Sequence, residues 1–104
     1  MDFIDKLFRI SNKAVSDLDE IWVYTFKNWS VQQADRYYNL IISEIEFIAK
    51  NPGSGKSMEH IKKGYRASKL KSHLIFYKLN TNNIVKVVRI LHHSMDLENR
   101  VKEE

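Results

Sequence analysis

HLIFYKLNTNNIVKVVRILH, residues 73–92, decides the architecture. Its two ends are apolar runs rich in β-branched and aromatic residues, the composition of strands. Between them stands Asn80-Thr81-Asn82-Asn83, and asparagine tolerates the left-handed backbone that a chain reversal needs. The stretch therefore predicts two antiparallel strands, 73–79 and 84–92. Both are so apolar that a central place in a sheet is expected. YRASKL, residues 65–70, leads into them across Lys71-Ser72 and is read as a third strand.

Upstream the hydrophobic period changes from 2 to 3.6. Val15, Leu18, Ile21, Trp22, Phe26 and Trp29 recur at helical spacing behind a cap at Ser11 or Asn12. Trp22 and Trp29 are assigned to the core on this stripe. Asn28-Trp29-Ser30 interrupts the pattern, and Ser30 with Gln33 has capping-box spacing. Trp29 and Ala34 are placed for a hydrophobic staple. A second helix follows, with Ala34, Tyr37, Tyr38, Ile41, Ile45 and Ile48 inward, and Asn51-Pro52-Gly53 ends it. KLFRIS, residues 6–11, alternates weakly and reads as a short first strand. Residues 52–64 read as a loop, and residues 96–102 as a short closing helix with Leu97 and Val101 one turn apart. Strand, helix, helix and then strands give an α+β class. The expected fold is an antiparallel helical hairpin on one face of a small twisted, mainly antiparallel sheet.

The 104 residues fit one domain, 1–104, of modest stability. There is no cysteine, so neither a disulfide nor a thiolate zinc site is possible. The four histidines, His60, His73, His92 and His93, lack the spacing of a helical metal site. No metal and no cofactor is expected. MDFIDKLFRIS carries two acids and no apolar core, unlike a secretory signal. No stretch approaches the roughly 18 apolar residues that cross a bilayer. The chain is expected to be cytoplasmic, with no membrane partner. Its net charge is +4. Lys56, Lys62, Lys63, Arg66, Lys69, Lys71 and Lys78 crowd one region against Glu59 alone, a surface suited to an anionic partner.

PGSGKS, residues 52–57, looks like part of a phosphate-binding loop. The motif requires glycine where Lys50 stands, and it should leave a strand rather than a helix. No G-x-S-x-G elbow and no strand-borne pair of carboxylates is present. RNA cleavage by 2′-hydroxyl attack needs a base, an acid and cations. His92, His93, Arg66, Arg89 and Lys69 have the chemistry, on strands or strand ends. Against that, Arg89 would face solvent on an uncovered sheet face or pair with an acid. His92 and His93 would point opposite ways on a continuing strand. His73 would be exposed, and Tyr65 and Tyr77 would pack.

Several pieces in order carry a resemblance: Ser11 with Ala14; Asp17-Leu18-Asp19-Glu20-Ile21-Trp22-Val23-Tyr24; Gln33-Ala34-Asp35-Arg36-Tyr37; Asn51-Pro52 with Gly55-Lys56-Ser57; Tyr65-Arg66; His73-Leu74-Ile75-Phe76-Tyr77; Val88-Arg89-Ile90-Leu91-His92; and Met95-Asp96. The chain resembles the RelE/ParE toxin superfamily over nearly its whole length, and its motifs resemble the ParE branch. The resemblance implies the toxin of a type II toxin–antitoxin module, in a hetero-oligomer with a cognate antitoxin that wraps and neutralises it. ParE-like toxins poison DNA gyrase and are not nucleases; RelE-like relatives cut messenger RNA on the ribosome. RelE-like nucleases place a tyrosine or histidine after the last strand. Here His92-His93-Ser94-Met95-Asp96 follows, as in ParE-like proteins, with no tyrosine. A gyrase inhibitor with no catalytic residue is the expectation from the ParE-like motifs, while His92 or His93 could still stand in as acid or base, as a histidine does in some RelE-like members. Arg66, Lys69 and Lys71 would bind antitoxin, and His92, His93, Met95 and Asp96 would meet the target. In the alternative, a ribosome-dependent ribonuclease, His92, His93, Arg66 and Arg89 would be catalytic. A third reading is an inactive, binding-only member.

Overall fold

The computed structural model describes residues 8–102. Strand β1, Phe8–Ile10, is followed by helices α1, Asn12–Asn28, and α2, Val31–Lys50. Strands β2, Lys56–Ser57, β3, Arg66–Leu70, β4, His73–Leu79, and β5, Val85–His92, come next, and helix α3, Leu97–Lys102, ends the order. The expected elements are present. Of the predicted first strand, Lys6 and Leu7 lie outside the described residues. The expected loop at 52–64 contains β2, which pairs Lys56 with Ala67 and Ser57 with Arg66.

The sheet runs β1-β5-β4-β3-β2, antiparallel except for β1 against β5. Asn83 and Lys71 take positive φ, 60° and 53°, in the two tight connections. β5 carries a bulge: Phe76 pairs with Arg89 and Tyr77 with Val87, which leaves Val88 unmatched.

Local chemistry fixes the helices. Ser11 Oγ accepts from the Ala14 amide at 3.0 Å and donates to the Val88 carbonyl at 2.9 Å. One hydroxyl thus caps α1 and ties it to β5, a cap of about 1 kcal/mol. Ser30 caps α2 through the Gln33 amide at 3.1 Å. The Gln33 side chain turns to Arg36 instead of completing a capping box. Only Trp29 and Ser30 separate the helices, so they run antiparallel.

The core has two layers. Between hairpin and sheet lie Ala14, Leu18, Ile41, Ile45, Ile48, Ile75, Tyr77, Val85, Val87 and Ile90. The opposite face is also covered: Tyr65, Ala67, Phe76, Val88 and Leu91 pack with Val101 of α3, Leu97, and the loop residues Met58 and Ile61. An uncovered sheet face was the expectation. Burial on both sides is the reason β4 and β5 are mostly apolar rather than alternating.

The stripe on α1 is a second correction. Its buried residues are Ala14 and Leu18, with Ile21 packed beside them. Val15, Phe26 and Trp29 are exposed, Trp29 by 64%. Val15, Trp22 and Phe26 form a neighbouring stripe about 100° round the helix from Ala14. There Trp22 stacks on Phe26 and donates from Nε1 to Asp35 of α2 at 2.9 Å. Trp29 lies edge-on to Tyr24 instead of stapling α2. Tyr38, also assigned inward, is exposed.

PGSGKS has a structural explanation. Gly55 N–H donates to Tyr77 Oη at 2.9 Å, and that hydroxyl donates to the Pro52 carbonyl at 2.8 Å. A Cβ at Gly55 would collide with the hydroxyl and lie 2.8 Å from Tyr77 Cε1. Glycine permits the close approach that shuts this loop over the core.

Candidate functional site

Where β1 stops, the upper edge of β5 would expose ladder groups. Side chains of α1 take over there. After the Ser11 bond to Val88, Asp17 Oδ2 accepts from the Ile90 amide at 2.9 Å. The same carboxylate holds Arg89 by two parallel bonds, Nε to Oδ2 at 2.8 Å and Nη2 to Oδ1 at 2.9 Å. Arg89 is 8% exposed. Of the two expectations for Arg89, the acid partner is the one realised. Asp17 locks α1 to the β5 edge directly before His92.

Beyond this lock lies a groove of about 890 Å³. One wall is the hairpin near its turn: Ile21 and Tyr24 of α1, Trp29 in the turn, and Arg36, Tyr37 and Leu40 of α2. The other is the end of the sheet: Lys71 and Ser72 between β3 and β4, His73, His92, and then Ser94 and Met95. Its rim is mixed in charge, because Asp17 and Glu20 also line it.

The sheet register brings the histidines together. His73 pairs with His92 across β4 and β5. Their rings meet edge to face at 5.4 Å, and His93 stacks on His92 at 4.6 Å. The strand does not continue to set His92 and His93 in opposition, because β5 ends at His92 and the chain turns. His93 N–H then donates to the Ser72 carbonyl at 2.9 Å. His73 is half-buried instead of exposed, and its Nδ1 lies 2.7 Å from Tyr37 Oη. Burial pushes the His73 imidazole down to about 4, with His92 and His93 adding to the effect. Burial holds the Tyr37 hydroxyl above its ordinary range, against a Ser72 hydrogen bond that works the other way. Among the described residues, no cluster of histidines and carboxylates is arranged to hold a metal ion.

The remaining sites scatter. Arg66 donates to the Gly55 carbonyl at 3.0 Å. It pairs with Tyr77, whereas Leu70 pairs with His73. Arg66 is thus four residues along β3 from the histidine rung, about 13 Å at strand spacing. Lys69 is exposed and alternates with Ser68, which donates to Glu44 of α2, so Lys69 points away from the hairpin. Lys62 and Lys78 stand over the Tyr65 ring at 5.3 and 5.6 Å, on that same far face. Only Lys71 of the three expected antitoxin contacts lines the groove. Met95 lines it and is 40% exposed. Asp96 accepts from Asn99 Nδ2 at 2.7 Å at the start of α3. Sequence reasoning missed Asp17, Tyr37, Tyr24, Trp29 and Arg36 as site residues. Aromatic pairs near a helix break were the available signal.

Residues 8–97 match the family described as the ParE toxin of the type II toxin–antitoxin system, parDE. The chain is 40% identical over 91 residues to Toxin ParE1 of Caulobacter vibrioides, covering 88% of this chain and 93% of that one. It is 35% identical to Toxin ParE1 of Mycobacterium tuberculosis over the same shares. Toxin ParE of Escherichia coli is 29% identical over 94 residues, 90% of this chain and 91% of the relative. Among solved structures, a chain of the chromosomal ParDE TA system from P. aeruginosa superimposes with a TM-score of 0.72 at 19% identity, covering 82% of this chain and 92% of that one. The fold is therefore shared well beyond recognisable sequence, and the chain belongs to the ParE toxin family of type II toxin–antitoxin systems.

Proposed function

We propose that this toxin inhibits DNA gyrase in the cytoplasm and is held inactive by its antitoxin, a segment of which fills the groove between hairpin and sheet end. The groove supports the binding half. Its wall is rich in exposed apolar surface, Tyr24 at 61%, Trp29 at 64% and Leu40 at 38%, and such patches mark sites of protein association. Arg36 and Lys71 on its rim suit an acidic amphipathic segment that orders as it binds.

One observation carries inhibition over catalysis: the four residues a ribonuclease would use do not converge. Arg89 is buried against Asp17, and Arg66 is fastened to Gly55 far along β3 from His92. Phosphorane stabilisation needs cations within hydrogen-bond reach of the reacting phosphate. Without them His92 and His93 serve as contacts, and with Met95 and Asp96 they form the target-facing segment after β5.

Purified toxin, added to gyrase supercoiling reactions and separately to translating ribosomes, tests this. Loss of supercoiling or cleaved DNA, with intact messenger RNA, is the expected result. Cut messenger RNA with unaffected gyrase would overturn it.

A further inference from the structure

The geometry points to a carboxylate-receiving subsite at the sheet end of the groove, built from the ring N–H of His92 and the Lys71 ammonium, which takes one acidic side chain of the antitoxin. The inference rests on the reading that the antitoxin fills this groove, and it adds the chemistry that anchors it there.

The hydrogen bonds assign the His92 tautomer. Ser94 N–H donates to His92 Nδ1 at 3.1 Å, and Ser94 Oγ lies 2.7 Å from the same atom. An imidazole that accepts at Nδ1 carries its proton on Nε2. At the second ring Tyr37 Oη donates to the Leu70 carbonyl at 3.3 Å and lies 2.7 Å from His73 Nδ1. The one hydroxyl proton goes to the carbonyl, which can only accept, so the donor that the groove receives is the one on His92. Among the described residues His92 Nε2 has no hydrogen-bond partner. A fixed donor in the groove wall without an acceptor favours an occupant that brings one.

Charge selects the acceptor. Lys71 lines this end of the groove, and among the described residues no acid lies within ion-pair distance of it. The acids of the groove, Asp17 and Glu20, come from α1, and Asp17 is already taken by Arg89. The hairpin end offers Tyr24, Trp29 and Leu40. An occupant with apolar residues towards the hairpin turn and a carboxylate against Lys71 and His92 complements both ends, on a chain of net charge +4.

The test measures affinity of the toxin for its cognate antitoxin, with each antitoxin Asp and Glu changed singly to Asn or Gln. Wild-type toxin is compared with Lys71→Met and His92→Phe, which keep the stem and the ring contact. One antitoxin substitution is expected to weaken wild-type binding about 10- to 100-fold, the loss of charge-assisted hydrogen bonds. Against either toxin variant the same substitution should cost less than about 3-fold. Equal factors against wild type and variants would overturn the subsite alone. Failure of wild-type toxin to bind the antitoxin at all would overturn the groove reading and the subsite with it. Nitrogen-15 spectra of the free toxin give an independent check. A proton on Nε2 of His92 supports the assignment, and a proton on Nδ1 alone overturns it.

Discussion

Replacing Asp17 by alanine removes a carboxylate that accepts three hydrogen bonds at once. It holds the Arg89 guanidinium by two bonds of 2.8 and 2.9 Å, and it satisfies the Ile90 amide at 2.9 Å. The two side chains are only 10% and 11% exposed, so water compensates little. Breaking a buried ion pair by removing one partner is worth about 3–5 kcal/mol. The orphaned amide falls within the upper part of that range, since an unsatisfied buried donor costs about 1–3 kcal/mol. We expect Asp17→Ala to destabilise by about 4 kcal/mol, against a total of roughly 5–15 kcal/mol for a domain of this kind. The transition should fall by roughly 15–30 °C. Urea unfolding of refolded toxin, followed by tryptophan fluorescence and circular dichroism, measures it. Asp17→Asn keeps an acceptor for Ile90 but removes the carboxylate charge opposite Arg89, whereas Asp17→Asn with Arg89→Met removes the guanidinium charge as well. That double variant should be more stable than the sum of its single changes implies, by about 2 kcal/mol. A loss below about 1 kcal/mol for Asp17→Ala, or simple additivity in the cycle, would refute the view that this carboxylate closes the β5 edge.

Further outcomes follow from the same structure. His73 is neutral in the fold and ordinary when unfolded, so its contribution is complete above pH 6.5 and is lost as pH falls towards about 4. Allowing for its partial exposure, about 1–2 kcal/mol should disappear across that window in urea titrations, and His73→Asn should flatten the dependence. Gly55→Ala should destabilise by about 1–3 kcal/mol, because the added methyl meets the Tyr77 ring and hydroxyl; an unchanged urea midpoint would contradict this. Trp29→Ala should change stability by no more than about 0.5 kcal/mol, since the ring is 64% exposed. The same change should weaken antitoxin binding by about 1–2 kcal/mol in calorimetry. Ser11→Ala removes both the α1 cap and the bond to Val88, a loss of about 1–2 kcal/mol by urea unfolding.

Much of the fold was legible because local chemistry is strong here. Ser11 and Ser30 cap helices through their own side chains, Pro52 stops α2, and Asn83 accepts a positive φ. Each signal acts within a few residues, so periodicity and turn chemistry located every element but β2 to within a residue or two. The site was less legible. Trp29 reads as core by spacing, yet small Ala14 and Leu18 face the sheet, and the large aromatics beside them stay in a neighbouring stripe. Periodicity reports that a helix is amphipathic; it does not say which of two adjacent stripes the sheet covers.

The sequence by itself determined the element order, the α+β class and the resemblance to ParE toxins, since caps, breakers and apolar runs are local properties of the chain. Tertiary structure alone decided that Asp17 reaches Arg89 across 72 positions, that Tyr37 meets His73 across 36, and that His92 joins them. Strand register and helix placement bring those groups together. Both depend on how the whole core packs, which no short stretch of sequence encodes.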